Sequence, residues 1–321
     1  MIAKKAFFIL LLSIFLVFLT ACKTHYLSLE EAEEKYKKVL EENSTSEESY
    51  RWLAVTYSIQ GKQDELIELS KKAQSHYENL VKENPNDSYA YSVLGHIART
   101  NGETKHALEL YGRALEIDPN SVEAHRGLGE LYLNEGKVDE AVAELNKALE
   151  SDADNYRANI ILGNIYLYDK NMTDYGIKHL DKALEAWPNR EYSHSIFVSL
   201  GNAYTKLEDF KKAEKMFKEA LEIYPNNYNV YNGLGNLYKS LGNAEKSKSM
   251  FEKSIELNPD YEWSYIGLAN LYISQGELEK AETLLLKAIE VNPKNTKSYS
   301  LLEGIQNKKK ESNGTKNISK V

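Results

Sequence analysis

Cysteine occurs once in this chain of 321 residues, at Cys22. A single thiol builds neither a disulfide framework nor a thiolate metal cluster. Six prolines and 17 glycines are too few for a collagen-like or linker-like polypeptide. Basic residues are in deficit, 40 Lys and Arg against 48 Asp and Glu for a formal net charge of −8. That balance excludes a general nucleic-acid binder, which needs a basic surface. Catalytic motifs are missing too: there is no H-E-x-x-H, no phosphate-cradling glycine loop and no G-x-S-x-G elbow. The seven histidines are scattered, with none at metal-ligand spacing from another on one helix face. The expectation is therefore a non-enzyme without metal, cofactor or small-molecule substrate. What is present is the balance of a folded chain, 42% hydrophobic and 27% charged, with 23 Tyr beside only 8 Phe and 3 Trp.

One long apolar run stands apart from the rest. Lys4 and Lys5 precede it, and Ala6 to Ala21 is interrupted only by Ser13 and Thr20. It is shorter than the roughly 20 residues of a membrane span. A charged start, an apolar middle and a small-residue end read as a secretory signal. The run closes Leu19-Thr20-Ala21-Cys22, which resembles the bacterial lipobox. That resemblance implies cleavage before Cys22 and lipid attachment on it, with a short anchored linker over 22–27. An ordinary signal peptide and an uncleaved anchor are the alternatives, and either still exports the rest of the chain. Lipidation on Cys22 implies a bacterial cell-envelope location. Lys23, rather than Asp, follows the cysteine, which favours the outer membrane in a Gram-negative host.

Beyond this segment a period emerges. Prolines fall at 85, 119, 188, 225, 259 and 293, and three of the intervals are 34 residues. The interval from 119 to 188 is two periods plus one, and 188 to 225 is a period plus three. A fixed repeat of this size signals a stacked array. Within a period, Tyr91, Leu94 and Ala98 share one helix face, as Ala107, Tyr111 and Ala114 do on the next. Gly61, Gly102, Gly136, Gly242 and Gly276 end the first helices. Asp118-Pro119, Asn258-Pro259 and Asn292-Pro293 end the second, because the residue before proline disfavours the helical conformation.

In this register the chain resembles the tetratricopeptide repeat family. The first aromatic position is Tyr50, Tyr91, Phe197, Tyr231 and Tyr265, with His125 and Asn159 as departures, of which His125 reads as core. The Leu-Gly pair is Leu94-Gly95, Leu128-Gly129, Leu162-Gly163, Leu200-Gly201 and Leu234-Gly235. The second aromatic is Tyr57, Tyr132, Tyr166, Tyr204, Tyr238 and Tyr272. The resemblance implies an all-α solenoid of antiparallel helix pairs wound as a right-handed superhelix. The array is expected over 28–309: a leading half-repeat with Ala32, Tyr36 and Val39 facing inward, then seven repeats starting near 47, 88, 122, 156, 194, 228 and 262. A capping helix over 296–309 and a disordered tail over 310–321 complete it. The first repeat has a second helix about two turns longer than the others. One residue is inserted around Lys170-Asn171-Met172 and about three between Pro188 and His194. Each either bends the array or lengthens a loop, and the loop is favoured.

Family members carry ligands in the groove lined by their first helices. Here that implies a protein or peptide partner. The lining includes an amide row, Asn164, Asn202, Asn236 and Asn270, which either contacts a peptide backbone or is solvated consensus. Arg51, Arg99, Arg126, Arg157, Lys206, Lys239 and Lys297 face only Glu48, Glu123 and Glu130 there, an excess that favours an acidic segment unless it is a small-number accident. Tyr89, Tyr168 and Trp263 project towards the groove as anchors or as inter-repeat packing. The family's clamp for chaperone C-termini is not supported, since Glu130 stands where its Asn belongs. The expected role is a lipid-anchored scaffold or assembly factor of the envelope. The alternative is a glycan or cell-wall binder using the same groove.

Overall fold

The computed structural model describes residues 29–43, 46–186 and 193–318, without the side chains of residues 29, 47, 48, 51, 59 and 310–318. These residues form helices and no strand, in two compact units divided after Pro85.

The first unit holds α1 (Leu29–Glu42), α2 (Glu47–Gln60) and α3 (Gln63–Glu83). Ala32 and Tyr36 of α1 are buried, as are Trp52, Leu53 and Tyr57 of α2 and Leu69, Ala73 and Tyr77 of α3. Val39 is only half-buried. Glu33 accepts from Lys37 and from Lys62, both at 2.5 Å, which ties α1 to the turn behind α2. Those two contacts, that from Lys37 foremost, hold the Glu33 carboxyl down at about 2. At 21 residues α3 exceeds the second helices of later pairs.

The second unit is six helix pairs and a final helix. They are α4 (Ser88–Thr100) with α5 (Thr104–Ile117), α6 (Val122–Asn134) with α7 (Val138–Ser151), and α8 (Tyr156–Asn164) with α9 (Thr173–Ala186). Next come α10 (His194–Lys206) with α11 (Phe210–Ile223), α12 (Tyr228–Ser240) with α13 (Ala244–Leu257), and α14 (Glu262–Ser274) with α15 (Leu278–Val291). The last, α16, spans Thr296–Ile318. It continues past Lys309, where the sequence placed the edge of the cap, as the following residues include no proline to stop it.

Local chemistry sets the ends of these helices. Asp87, Ser121 and Asn155 each accept from the backbone N–H three residues on, the side-chain capping that first-turn amides require. The turn inside each pair needs one left-handed residue, and glycine supplies it at φ 71–80° in five pairs. Two pairs lack that glycine: Asn171 (φ 54°) and Glu208 (φ 60°) take its place. Around Asn171 the extra residue is absorbed by helix widening. Ile165–Asp169 closes α8 as a π-helical turn, with Lys170 N–H donating to Ile165 O at 3.0 Å and Met172 N–H to Tyr166 O at 2.7 Å. The insertion between Pro188 and His194 lies mostly outside the described residues.

Between helices the packing is a sandwich. Tyr111, Phe217 and Phe251, fully buried on second helices, each lie between two glycines: Gly95 and Gly127, Gly201 and Gly233, Gly235 and Gly267. One glycine belongs to the same pair and one to the next. Where the buried residue is Leu145 or Leu180, the second position carries Ile161 or Ser199 instead. Ring size on one repeat is thus matched by an absent side chain on its neighbour, as close packing demands. Ser247 and Ser254 occupy small-residue positions and stay satisfied by donating to Gly235 O (2.8 Å) and Tyr228 O (2.7 Å). Tyrosines of the second aromatic row are covered from outside by lysines, Lys212 over Tyr204, Lys246 over Tyr238 and Lys280 over Tyr272, at 5.0–5.1 Å from the ring centres.

Candidate functional site

Cys22 lies outside the described residues, as do the side chains of Arg51 and Glu48. The remaining groove candidates divide into two stretches of different chemistry.

The first stretch, on α4 and α6, is closed on itself. Arg126 is only 4% exposed, so it is not the groove-lining cation the sequence implied. Its guanidinium donates to Glu130 at 2.6 Å, to Glu123, and to His96 Nε2 at 2.7 Å. With Nε2 accepting, the His96 proton sits on Nδ1, which donates to the Tyr111 hydroxyl at 2.9 Å. Arg99 pairs with the other oxygen of Glu130 at 2.5 Å. Burial, with the nearby charge of Arg126, pulls the His96 imidazole down to about 4. Burial works against the charges on Glu123 and Glu130. The contacts and charge of Arg126 beside both, with Arg99 beside Glu130, outweigh it and hold both carboxyls below their ordinary range. Two arginines and two glutamates around a neutral histidine leave no net charge. Such a network fastens neighbouring first helices and offers little to a ligand. The sequence reading missed it because His96 and Arg126 meet across 30 residues.

The departures from the aromatic row are likewise consumed internally. His125 is buried, with Nδ1 on Glu144 at 2.7 Å and Nε2 on Pro119 O at 3.0 Å. Asn159 is fully buried, donates to Ala153 O and Asn155 O, and contacts His179 at 2.8 Å.

The second stretch runs from the end of α8 along α10, α12 and α14, and it is open. Tyr168 and Trp263 are 57% and 45% exposed, and Tyr89 of α4 is exposed as well. Although Tyr168 reaches solvent, desolvation pushes its phenol up. Tyr261 is shifted the same way by burial, with Tyr228 and Tyr168 adding to it, and its ring meets that of Tyr228 at 4.9 Å.

The amide row is partly exposed throughout. Asn164 accepts from Ser199 at 2.8 Å, Asn202 donates to the Tyr168 hydroxyl at 3.0 Å, and Asn236 donates to Asn232 O at 3.2 Å. Each of these three amides spends one group on its own array and has others unspent, since an amide carries two donors and two acceptor sites. Arg157 lies against the ring of Tyr156 and donates to its hydroxyl at 3.2 Å. Lys206 is exposed and donates to Leu167 O at 3.1 Å, while Lys239 is half-buried. Lys297 is exposed at the start of α16.

Among the described residues no group of three His, Cys, Asp or Glu side chains is placed to hold a metal ion, and no helix is long and apolar enough to cross a membrane.

Similarity to solved structures lies in the fold. The chain aligns with a chain of the APC/C Cut9–Hcn1 hetero-tetramer at a TM-score of 0.67 and 15% identity, over 87% of this chain and 53% of that one. It therefore spans about half the length of that neighbour. A tetratricopeptide repeat protein from Parabacteroides merdae aligns at 0.58 and 18% identity, over 85% of this chain and 99% of that one. PilW, described as a widely conserved type IV pilus biogenesis factor, aligns at 0.57 and 18%, over 67% and 98%. No curated protein matches the sequence. Four family models described as Tetratricopeptide repeat match residues 70–122, 98–165, 195–227 and 228–294. With helix pairs stacked through small residues and a sequence matched over most of its array, the chain belongs to the tetratricopeptide repeat family.

Proposed function

We propose that this protein is a lipid-anchored scaffold or assembly factor of the bacterial cell envelope, holding a peptide or partner protein in the groove of its first helices. The observation that carries the reading is the open stretch of α10, α12 and α14. There a row of amides and the exposed rings of Tyr168 and Trp263 stand on rigid helices without a charge network to close them. Amides that retain donors and acceptors bind an extended main chain irrespective of its sequence. Exposed aromatics set in a concave surface are the usual anchors of an interface. The assembly roles of fold neighbours such as PilW are consistent with this reading, although the likeness is one of fold. The anchor rests on the lipobox resemblance at Cys22, and several acyl chains on one residue would hold the protein stably on a membrane. No catalytic step is assigned to any residue.

Two experiments test the reading. Globomycin, or Cys22→Ala, is expected to leave an unprocessed or released form; unchanged processing and membrane retention would remove the anchor. Affinity capture from detergent-solubilised envelope is expected to yield a protein that Asn202→Ala with Asn236→Ala no longer holds. Full capture by the folded double variant would remove the groove. Binding of purified peptidoglycan in place of a protein would instead establish the glycan reading, which the same rings and amides could serve.

A further inference from the structure

Resting on the groove reading above, we infer that the stretch formed by α10, α12 and α14 takes an acidic, extended peptide segment, with a ligand carboxylate seated on Lys239. The groove face of α12 carries Asn229, Asn232, Asn236 and Lys239, spaced so that all four lie along one side of the helix. None is acidic. The ammonium of Lys239 is half-buried, and among the described residues it has neither a hydrogen bond nor an ion pair. Burial alone pulls its titration down from the ordinary lysine value, with no carboxylate acting against it. Four other groove cations are engaged within the array, and Lys297 is exposed to water. Arg99 and Arg126 are neutralised by Glu123 and Glu130. Arg157 is spent on Tyr156 and Lys206 on a main-chain carbonyl.

A desolvated cation left without a counter-charge is a cost to the folded chain. An arriving carboxylate repays that cost, since charge pairing strengthens where water is partly excluded. The same helix face offers a second unmet group: Asn232 Oδ1 is buried and has no partner. A main-chain N–H of the ligand would satisfy it once the Asn232 side chain turns outward. The acidic segment thus lies along the later repeats. The stretch on α4 and α6 does not select charge, because its own charges already cancel.

The test uses the full chain in detergent, with fluorescein-labelled decaglutamate as probe and decaglutamine as the neutral control. Decaglutamate is expected to bind with strong salt dependence, and Lys239→Ala to weaken it at least about tenfold. Lys239→Arg, which keeps the charge, should retain most of the affinity, and Lys280→Ala, outside the groove, all of it. Circular dichroism of each variant confirms folding. Equal affinity of Lys239→Ala, equal binding of decaglutamine, or no binding of decaglutamate would overturn the inference. If any of these occurs while the Asn202→Ala, Asn236→Ala pair still abolishes envelope capture, the groove reading survives and only its acidic ligand is lost. Displacement of decaglutamate by chitohexaose at comparable concentration would also count against a peptide-specific seat.

Discussion

Gly233→Ala is the most informative single perturbation of the array. A Cβ on Gly233 would stand 2.5 Å from Cε1 and 2.6 Å from Cζ of Phe217, a ring with no exposed surface. Carbon pairs settle near 3.5–4.0 Å, so the methyl enters about 1 Å inside contact. Alanine favours a helix interior over glycine by about 1 kcal/mol. Overpacking a close-packed site costs about 1–3 kcal/mol. The two oppose, and the expected net loss is on the order of 1 kcal/mol, rising if Phe217 has no room to shift. That room is scarce, because Gly201 meets the same Cε1 corner of the ring, where a Cβ would stand 2.6 Å away by the same measure.

Phe217→Leu alone leaves a void and costs roughly 1–2 kcal/mol. Combined, the two changes recreate the pattern at Leu145 with Ile161 and Leu180 with Ser199, where a smaller residue meets a larger neighbour. The double variant should therefore be more stable than the sum of its parts by about 1–2 kcal/mol, within the range of directly touching residues. Repeat arrays need not unfold in two states. The cycle is therefore best read by amide hydrogen exchange in α11 and α12, with urea unfolding by circular dichroism beside it. Additivity within about 0.3 kcal/mol, or a stabilising Gly233→Ala, would refute ring-to-glycine matching.

Glu208 occupies the left-handed turn position that glycine fills elsewhere, at φ 60°. Glu208→Gly should stabilise its pair by about 1 kcal/mol, the usual penalty for a side chain there; an unchanged or lowered melting temperature would contradict this. His96 is held neutral down to about 4 against 6.5 when free. The unfolded chain therefore binds the extra proton first, and stability falls as pH drops from about 6.5 to 4, by at most roughly 3–4 kcal/mol at about 1.4 per unit. The lowered carboxyls of Glu123 and Glu130 add a further loss below about 4.5. Urea midpoints should fall less steeply between pH 6.5 and 4.5 in His96→Gln, with His179 and His194, also lowered by burial, keeping part of the slope; an unchanged slope would show that His96 is not a source. Glu130→Ala strands Arg99 and leaves Arg126 with Glu123 as its one carboxylate, and should cost about 3–5 kcal/mol, whereas a loss under 1 kcal/mol in thermal unfolding would mean the network is not cooperative.

Much of this protein was legible along the chain, because its design is local. Caps such as Asp87, turn glycines such as Gly136 and the spacing of Ala107, Tyr111 and Ala114 act within one or two helical turns, so a period of 34 residues carries the helix pairs with it. What escaped depends on residues one repeat apart. Arg126 reads as a groove cation from its register, yet Glu123 and Glu130 beside it and His96 on the preceding first helix consume it. The insertion at Asn171 reads as a longer loop, but the backbone absorbs part of it by widening α8. Tyr111, Phe217 and Phe251 announce themselves as core, while the glycines of the following repeat that admit them, Gly127, Gly233 and Gly267, acquire their meaning only once the repeats are stacked. Helix formation is decided by neighbours in sequence, whereas burial, charge pairing and steric fit are decided by neighbours in space; that is why the chain alone determined the array, and the tertiary structure determined that Lys239, among several groove cations, is half-buried without a partner.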